Sequence, residues 1–283
     1  MNTHPKGWNL VACADGTAVA NHVAACLLQD RQRWPDQPLG LATGRTMEPV
    51  YGALVKAVQA LPVAEQQGLR QQWLSFNLDE YVGLPPGDPG SFAAFMARHL
   101  QQPLGLGMDQ VRLPAGLASD PGAEAQRYAS DLARCGGLGL QLLGLGLNGH
   151  VGFNEPPCPA TAPCRCLELS GTTREQNAAA FGGDARAVPE RAITLGLAEI
   201  LAAQRLLLVV TGAAKAEILA RLLAEQPSPE LPASWLQGHP NLTLVVDQAA
   251  LAACGDIDAC FSRRHRLEGE TLDFHNLEPT PPR

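Results

Sequence analysis

Six short apolar runs, each leading into a polar or glycine-rich loop, constrain this chain most. They are WNLVAC (8–13), PLGLAT (38–43), WLSFNL (73–78), LGLQLLGLG (138–146), RLLLVVT (205–211) and LTLVVD (242–247). Helical candidates follow most of them, at 15–32, 46–61, 91–100, 122–135 and 213–226. Strands alternating with helices build βαβ units, so an α/β fold with a mostly parallel sheet is expected. Loops such as GLPPGDPG (83–90) and EPPCPATAPC (155–164) are too short to be domain linkers. Residues 1–250 are therefore read as one domain. The less periodic segment 251–283, which ends in PTPPR, is read as a tail partly ordered against the body.

The 283 residues are 46% hydrophobic and 17% charged, enough for a sizeable core. A formal net charge of -7 and the lack of a basic stripe argue against nucleic acid as a partner. They do not exclude a small anionic substrate, which needs only a few placed donors. The N-terminal segment lacks a signal-peptide pattern, and no apolar run reaches the ~18 residues of a membrane span. A soluble cytoplasmic protein with no membrane partner is expected. Eight cysteines without a C-x-x-C pair fit reduced thiols better than zinc or a disulfide framework.

Position carries more than composition. In open parallel sheets, ligands bind at the carboxyl ends of strands near a reversal of strand order. Four unusual clusters each follow a strand: Thr43-Gly44-Arg45-Thr46, Asn77 to Tyr81, Gly144 to Glu155, and Thr211 to Lys215. A parallel sheet brings all four to one edge. The first can hold a phosphate on helix-start N–H groups and the Thr43 and Thr46 hydroxyls; a plain turn with an N-cap threonine accounts for it equally well. Asp79, Glu80 and Lys215, each taken alone, have ordinary solvated or capping explanations. His150, flanked by Asn148 and Glu155 on a glycine-rich loop, is the better acid–base candidate.

LATGRT, FNLDEYVGL, LGLGLNGHVGFNEP, ITLGLAEIL, VVTGAAKAEIL and LQGHPNLTLVVD resemble, in order and spacing, the glucosamine-6-phosphate deaminase/isomerase family over roughly residues 8–250. The resemblance implies a single Rossmann-like α/β domain with helices on both faces of its sheet. It implies conversion of glucosamine 6-phosphate to fructose 6-phosphate and ammonia, a place in N-acetylglucosamine catabolism, and the enzyme class hydrolase. It requires no redox cofactor or metal, names an amino-sugar phosphate as the small-molecule partner, and leaves a homo-oligomer open. By position, Asp79 becomes the base that moves a proton between C2 and C1. His150 opens the sugar ring, with Glu155 orienting and tuning it and Asn148 beside it. Thr43, Gly44, Thr46 and Lys215 become the phosphate grip.

Three departures from the family pattern stand out. Asn148 stands where some members carry an aspartate and others an asparagine, which is expected to alter pH dependence rather than abolish activity. Arg45 enters the phosphate turn while the family's phosphate arginine falls at Ala179. Arg45 either takes over as donor or points to solvent. Cys158 and Pro159 occupy the serine positions of allosteric members, with Arg165 retained and Leu167 in place of a lysine, so activation by N-acetylglucosamine 6-phosphate is expected to be weak or absent. The rival readings are a 6-phosphogluconolactonase-like hydrolase, a galactosamine-6-phosphate deaminase and a non-catalytic sugar-phosphate sensor.

Overall fold

The structure, a computed structural model, describes residues 8–255 and the backbone of residues 265–267. Its first half runs β1 (Trp8–Cys13), α1 (Gly16–Arg33), β2 (Leu39–Leu41), α2 (Met47–Gln59), α3 (Val63–Gln72), β3 (Ser75–Asn77), β4 (Asp79–Tyr81), α4 (Phe92–Met96), α5 (Gln102–Leu104), β5 (Val111–Arg112) and α6 (Pro121–Arg134). The second half runs β6 (Leu140–Gly144), β7 (Arg165–Glu168), α7 (Gly171–Asn177), β8 (Arg191–Thr194), α8 (Leu197–Leu201), β9 (Arg205–Val210), α9 (Ala216–Ala224), β10 (Leu242–Asp247) and β11 (His265–Leu267). All six expected strands are present.

Among the described residues, eight strands form one sheet in the order β11-β1-β10-β9-β6-β2-β3-β5. Every neighbouring pair in it is parallel. Nearly every residue of β2, β3, β6, β9 and β10 is buried. Successive side chains point to opposite faces of a sheet, so both faces must be covered, and continuous rather than alternating apolar runs result. The segment 251–283, read as a tail, lies mostly outside the described residues; within it, β11 adds an edge strand beside β1.

After β3 the chain leaves this sheet. Leu78 separates β3 from β4, and β4 pairs antiparallel with β8, which pairs with β7, in a second sheet of order β4-β8-β7. A separate apolar cluster builds around it from Tyr81, Phe153, Leu169, Ala178, Val188 and Ala192. The Tyr81 ring centre lies 4.7 Å from that of Phe92 and 5.5 Å from that of Phe153. This small layer stands over the carboxyl edge of the main sheet and walls the cavity described next.

Candidate active site

The four clusters follow β2, β3, β6 and β9, and those strands are consecutive in the order β9-β6-β2-β3. From β2 the chain proceeds outward to β3 and β5; from β6 it proceeds the other way to β9 and β10. Strand order therefore reverses between β2 and β6, where neighbouring loops diverge and leave a crevice. A cavity of about 590 Å³ opens there. Thr43, Gly44, Arg45, Thr46, Asp79, His150 and Lys215 all line it. Phe92 and Ala179 line it as well.

One end of the cavity is built for an anion. Thr46 stands at the N-cap position of α2 and its side chain makes no capping hydrogen bond, so its hydroxyl remains available, whereas Met47 N–H is taken by Gly44 O at 2.8 Å and Pro49 has no N–H to offer. Lys215 approaches from the turn before α9. Burial first, and the nearby positive charge of Arg45 second, hold its ammonium below the usual lysine range. Two adjacent cations favour an anion between them. The Lys215 turn is itself pinned by Asp247 at the end of β10, whose carboxylate accepts from Gly212 N–H at 3.0 Å and Ala250 N–H at 2.8 Å. Sequence reasoning did not single out Asp247. Its signal was a carboxylate directly ending the buried apolar run LTLVVD.

Asp79 and Glu80 are both buried but differ in what holds them. Glu80 accepts three backbone N–H bonds and caps the start of α4. Asp79 faces the cavity. Burial, and then the charge of Glu80, push its carboxyl up to about 8. Gly152 lets the loop pass close by: a β-carbon there would lie 3.1 Å from Thr194 Oγ1 and 3.4 Å from Asp79 Oδ2.

The imidazole of His150 lies against the Cα of Gly146, and its tautomer follows from its neighbours. Asn148 Oδ1 accepts the backbone N–H of His150 at 3.2 Å, which identifies that atom as the amide oxygen. The same oxygen lies 2.6 Å from Nδ1. Nδ1 must then carry the hydrogen, leaving the Nε2 lone pair free. Burial first, and the charge of Lys215 with it, pull the imidazole down to about 4, against the opposing pull of Glu155. His150 is neutral near pH 7 and presents a proton acceptor. The carboxylate of Glu155 accepts instead from Ser170 N–H and Oγ, at 3.1 and 2.7 Å, and from the Thr173 hydroxyl. The direct partner of the imidazole is thus Asn148, and Glu155 acts on it through charge.

The loop beyond the histidine is fixed from below. Asn154, fully buried, donates to Val151 O and Leu195 O and accepts from Arg165 Nη1 at 2.8 Å. Arg165 also donates to Pro163 O at 3.1 Å, so this basic residue is committed to holding the loop. Cys158, Cys164 and Cys166 are free thiols. Among the described residues no group of three or more His, Cys, Asp or Glu side chains is placed to hold a metal, and no helix is long and apolar enough to cross a membrane.

Residues 14–245 match the sequence profile of the family described as Glucosamine-6-phosphate isomerases/6-phosphogluconolactonase. The chain belongs to this family. A glucosamine-6-phosphate deaminase of Geobacillus sp. (strain WCH70) is 38% identical over 248 residues, spanning 87% of this chain and 96% of that protein. The glucosamine-6-phosphate deaminase of Streptomyces coelicolor is 40% identical over 241 residues, spanning 85% and 90%. A solved structure described as a monomeric glucosamine-6-phosphate deaminase superposes with a TM-score of 0.81 at 33% identity, covering 87% of this chain and 99% of that one. The 6-phosphogluconolactonase of Trypanosoma brucei, with a TM-score of 0.65 at 19% identity over 88% of this chain and 98% of that one, shares the fold.

These names correct one expectation. They describe deaminases and isomerases, so the class hydrolase drawn from the sequence does not stand. Isomerisation moves a proton between adjacent carbons and calls on acid–base groups, not on a nucleophile that attacks a scissile bond.

Proposed function

We propose that this chain converts glucosamine 6-phosphate to fructose 6-phosphate and ammonia, by aldose–ketose isomerisation coupled to loss of the amine. The observation that carries the reading is the presence of Asp79 and His150 on one cavity that Thr43, Thr46, Arg45 and Lys215 also line. The phosphate at the cationic end anchors the sugar and supplies binding energy remote from the reacting carbons. The Nε2 of His150 takes the proton of the anomeric hydroxyl and delivers it to the ring oxygen, opening the pyranose. Asp79, when ionised, removes the proton from C2 to give an enolamine and returns it to C1. The resulting imine at C2 takes up water and releases ammonia. Proton transfers of this kind contribute on the order of 10²–10⁴-fold each.

The test is a coupled ammonia assay across hexosamine and hexose phosphates. Ammonia from glucosamine 6-phosphate is expected. Turnover confined to the galactosamine epimer, hydrolysis of a phosphosugar lactone, or binding without turnover would each replace the reading with one of its rivals. The relatives named deaminases are 36–40% identical, whereas the matched lactonase structures fall below 25% and speak to fold alone.

Arg45 supplies the guanidinium that Ala179 lacks, since both positions line the same cavity. Its planar fork suits bidentate contact with phosphate. Arg45→Ala is expected to weaken binding of hexose phosphates by roughly 10- to 100-fold, in line with losing one charge-assisted pair, while leaving kcat within a few-fold. An unchanged phosphate-ester affinity, read by calorimetry, would rule the substitution out.

Addition of N-acetylglucosamine 6-phosphate is expected to leave the substrate saturation curve hyperbolic and unmoved. Arg165 is already engaged by Asn154 and Pro163, and Cys158, Pro159 and Leu167 offer a phosphate nothing in place of serines and a lysine. Sigmoidal kinetics relieved by that ligand would contradict this.

A further inference from the structure

Glu80 stands one residue from the proposed base, is only 3% exposed, and has neutral partners. Its Oε1 accepts from Tyr81 N–H at 2.8 Å and Phe92 N–H at 3.0 Å, and its Oε2 accepts from Ala93 N–H at 2.7 Å. Both oxygens act as acceptors; burial raises the Glu80 carboxyl above the usual carboxylate range, and these three N–H donors pull against it in favour of the ionised form. A buried carboxylate is costly to keep unless its contacts do something. Two of the three reach twelve and thirteen residues along the chain to the first turn of α4. That turn carries Ser91, Phe92 and Phe95 to the cavity wall, and Ser91 Oγ caps it by accepting from Ala94 N–H at 3.0 Å.

We propose that Glu80 is a positioning residue for the proton transfer: its carboxylate fastens the strand bearing Asp79 to the helix start that closes the cavity, and sets the negative charge beside which Asp79 works. The inference rests on Asp79 being the base. The groups around Asp79 are Glu80 and Tyr81 on its own strand, Tyr128 from α6, and His150, Lys215 and Arg45 around the cavity. The Tyr128 hydroxyl is committed to Asn77 O at 2.8 Å and Arg112 O at 3.0 Å, and His150 is neutral. Glu80 is the carboxylate adjoining the base. A like charge beside a carboxylate makes it harder to ionise and a stronger base once ionised. Removal of a weakly acidic C–H needs that strength.

The experiment compares pH profiles of Glu80→Gln, Glu80→Asp and wild type, with circular dichroism to establish folding. In Glu80→Gln the acidic limb of kcat/KM moves down by about one pH unit, plateau kcat falls, and KM rises as the α4 start loosens. Glu80→Asp keeps the charge but is too short to span to Ala93, so its limb stays with wild type while KM rises. A Glu80→Gln limb that coincides with wild type, with activity lowered by one factor at every pH, overturns the proposal. So does a Glu80→Asp limb displaced like that of Glu80→Gln. Should Glu80→Gln not fold, Glu80→Asp decides: an unmoved limb with raised KM supports the role, and a wild-type KM removes it. Asp79→Asn is measured alongside. Turnover surviving there removes Asp79 as base, an outcome separate from any result at Glu80.

Discussion

Asp79→Asn is expected to lower kcat/KM by at least 10²–10⁴-fold and at the same time to make the protein more stable. Asparagine keeps the shape but can neither take nor return the C2 proton. Binding of hexose phosphates should survive, because Thr43, Thr46 and Lys215 reach the cavity from other strands. The gain in stability has a defined pH dependence. The carboxyl of Asp79 is raised by burial and by Glu80 to about 8 in the folded chain, against a value near 4 for an exposed aspartate. Between those two values the folded state holds a proton that the unfolded chain has lost, so wild-type stability falls as pH rises across that window. Asparagine has no such dependence. The variant's advantage in Tm should therefore be small near pH 4, grow toward pH 8 and level off beyond it. It should reach several degrees, since ~1 kcal/mol moves Tm by about 2–4 °C in a chain near this size. The same pKa sets the activity profile: kcat/KM of the wild type should climb with pH toward about 8 as the base ionises. An inactive variant whose advantage over wild type is no larger at pH 8 than at pH 5 would mean that the Asp79 carboxyl is not raised by burial. A variant that still turns over would end its assignment as base.

Some of this was legible in the sequence. The six apolar runs, the placement of four polar clusters at strand ends, and their convergence on one edge all follow from periodicity and from the geometry of parallel sheets. What escaped is equally physical. Helix α3 has no apolar stripe and buries only Leu69, so nothing in VAEQQGLRQQ advertised it. Strands β4, β7 and β8 have three or four residues each and pair antiparallel in a separate layer, and β7 is only half-buried, so the alternation that marked the long strands is missing. The expected helix over 91–100 begins as α4 and passes into a π turn at Ala97–Gln101, a change of winding that side-chain pattern does not encode. At the site, residue types were readable and partnerships were not. No local signal shows that Asn148 rather than Glu155 holds the imidazole, or that Glu80 spends its carboxylate on a helix twelve residues away. Both follow from the path of the loops through space.

Gly146→Ala is expected to cost nearly as much activity as removing His150 itself. A β-carbon at 146 would lie 2.3 Å from Cε1 and 2.4 Å from Cδ2 and Cγ of the His150 ring. Those distances are far inside van der Waals contact, and the atoms met belong to the face of the imidazole, not to the tip of a flexible chain. Gly146 is not among the glycines with positive φ, so alanine fits its backbone and the ring is what must yield. Once displaced, the ring loses the 2.6 Å contact of Nδ1 with Asn148 Oδ1 that selects its tautomer, and Nε2 no longer meets the sugar. The loss in kcat/KM should match that of His150→Ala, on the order of 10²–10⁴-fold, with hexose-phosphate affinity and Tm close to wild type. The double variant decides the cause. If Gly146 matters only because it makes room for the imidazole, Gly146→Ala adds nothing once His150 is alanine, and the two losses fail to multiply. Free imidazole should then restore part of the turnover in His150→Ala, and less of it when alanine also occupies position 146 and narrows the vacated space. Losses that multiply, or a Gly146→Ala enzyme with wild-type kcat/KM, would show that the imidazole does not work from the position against Gly146.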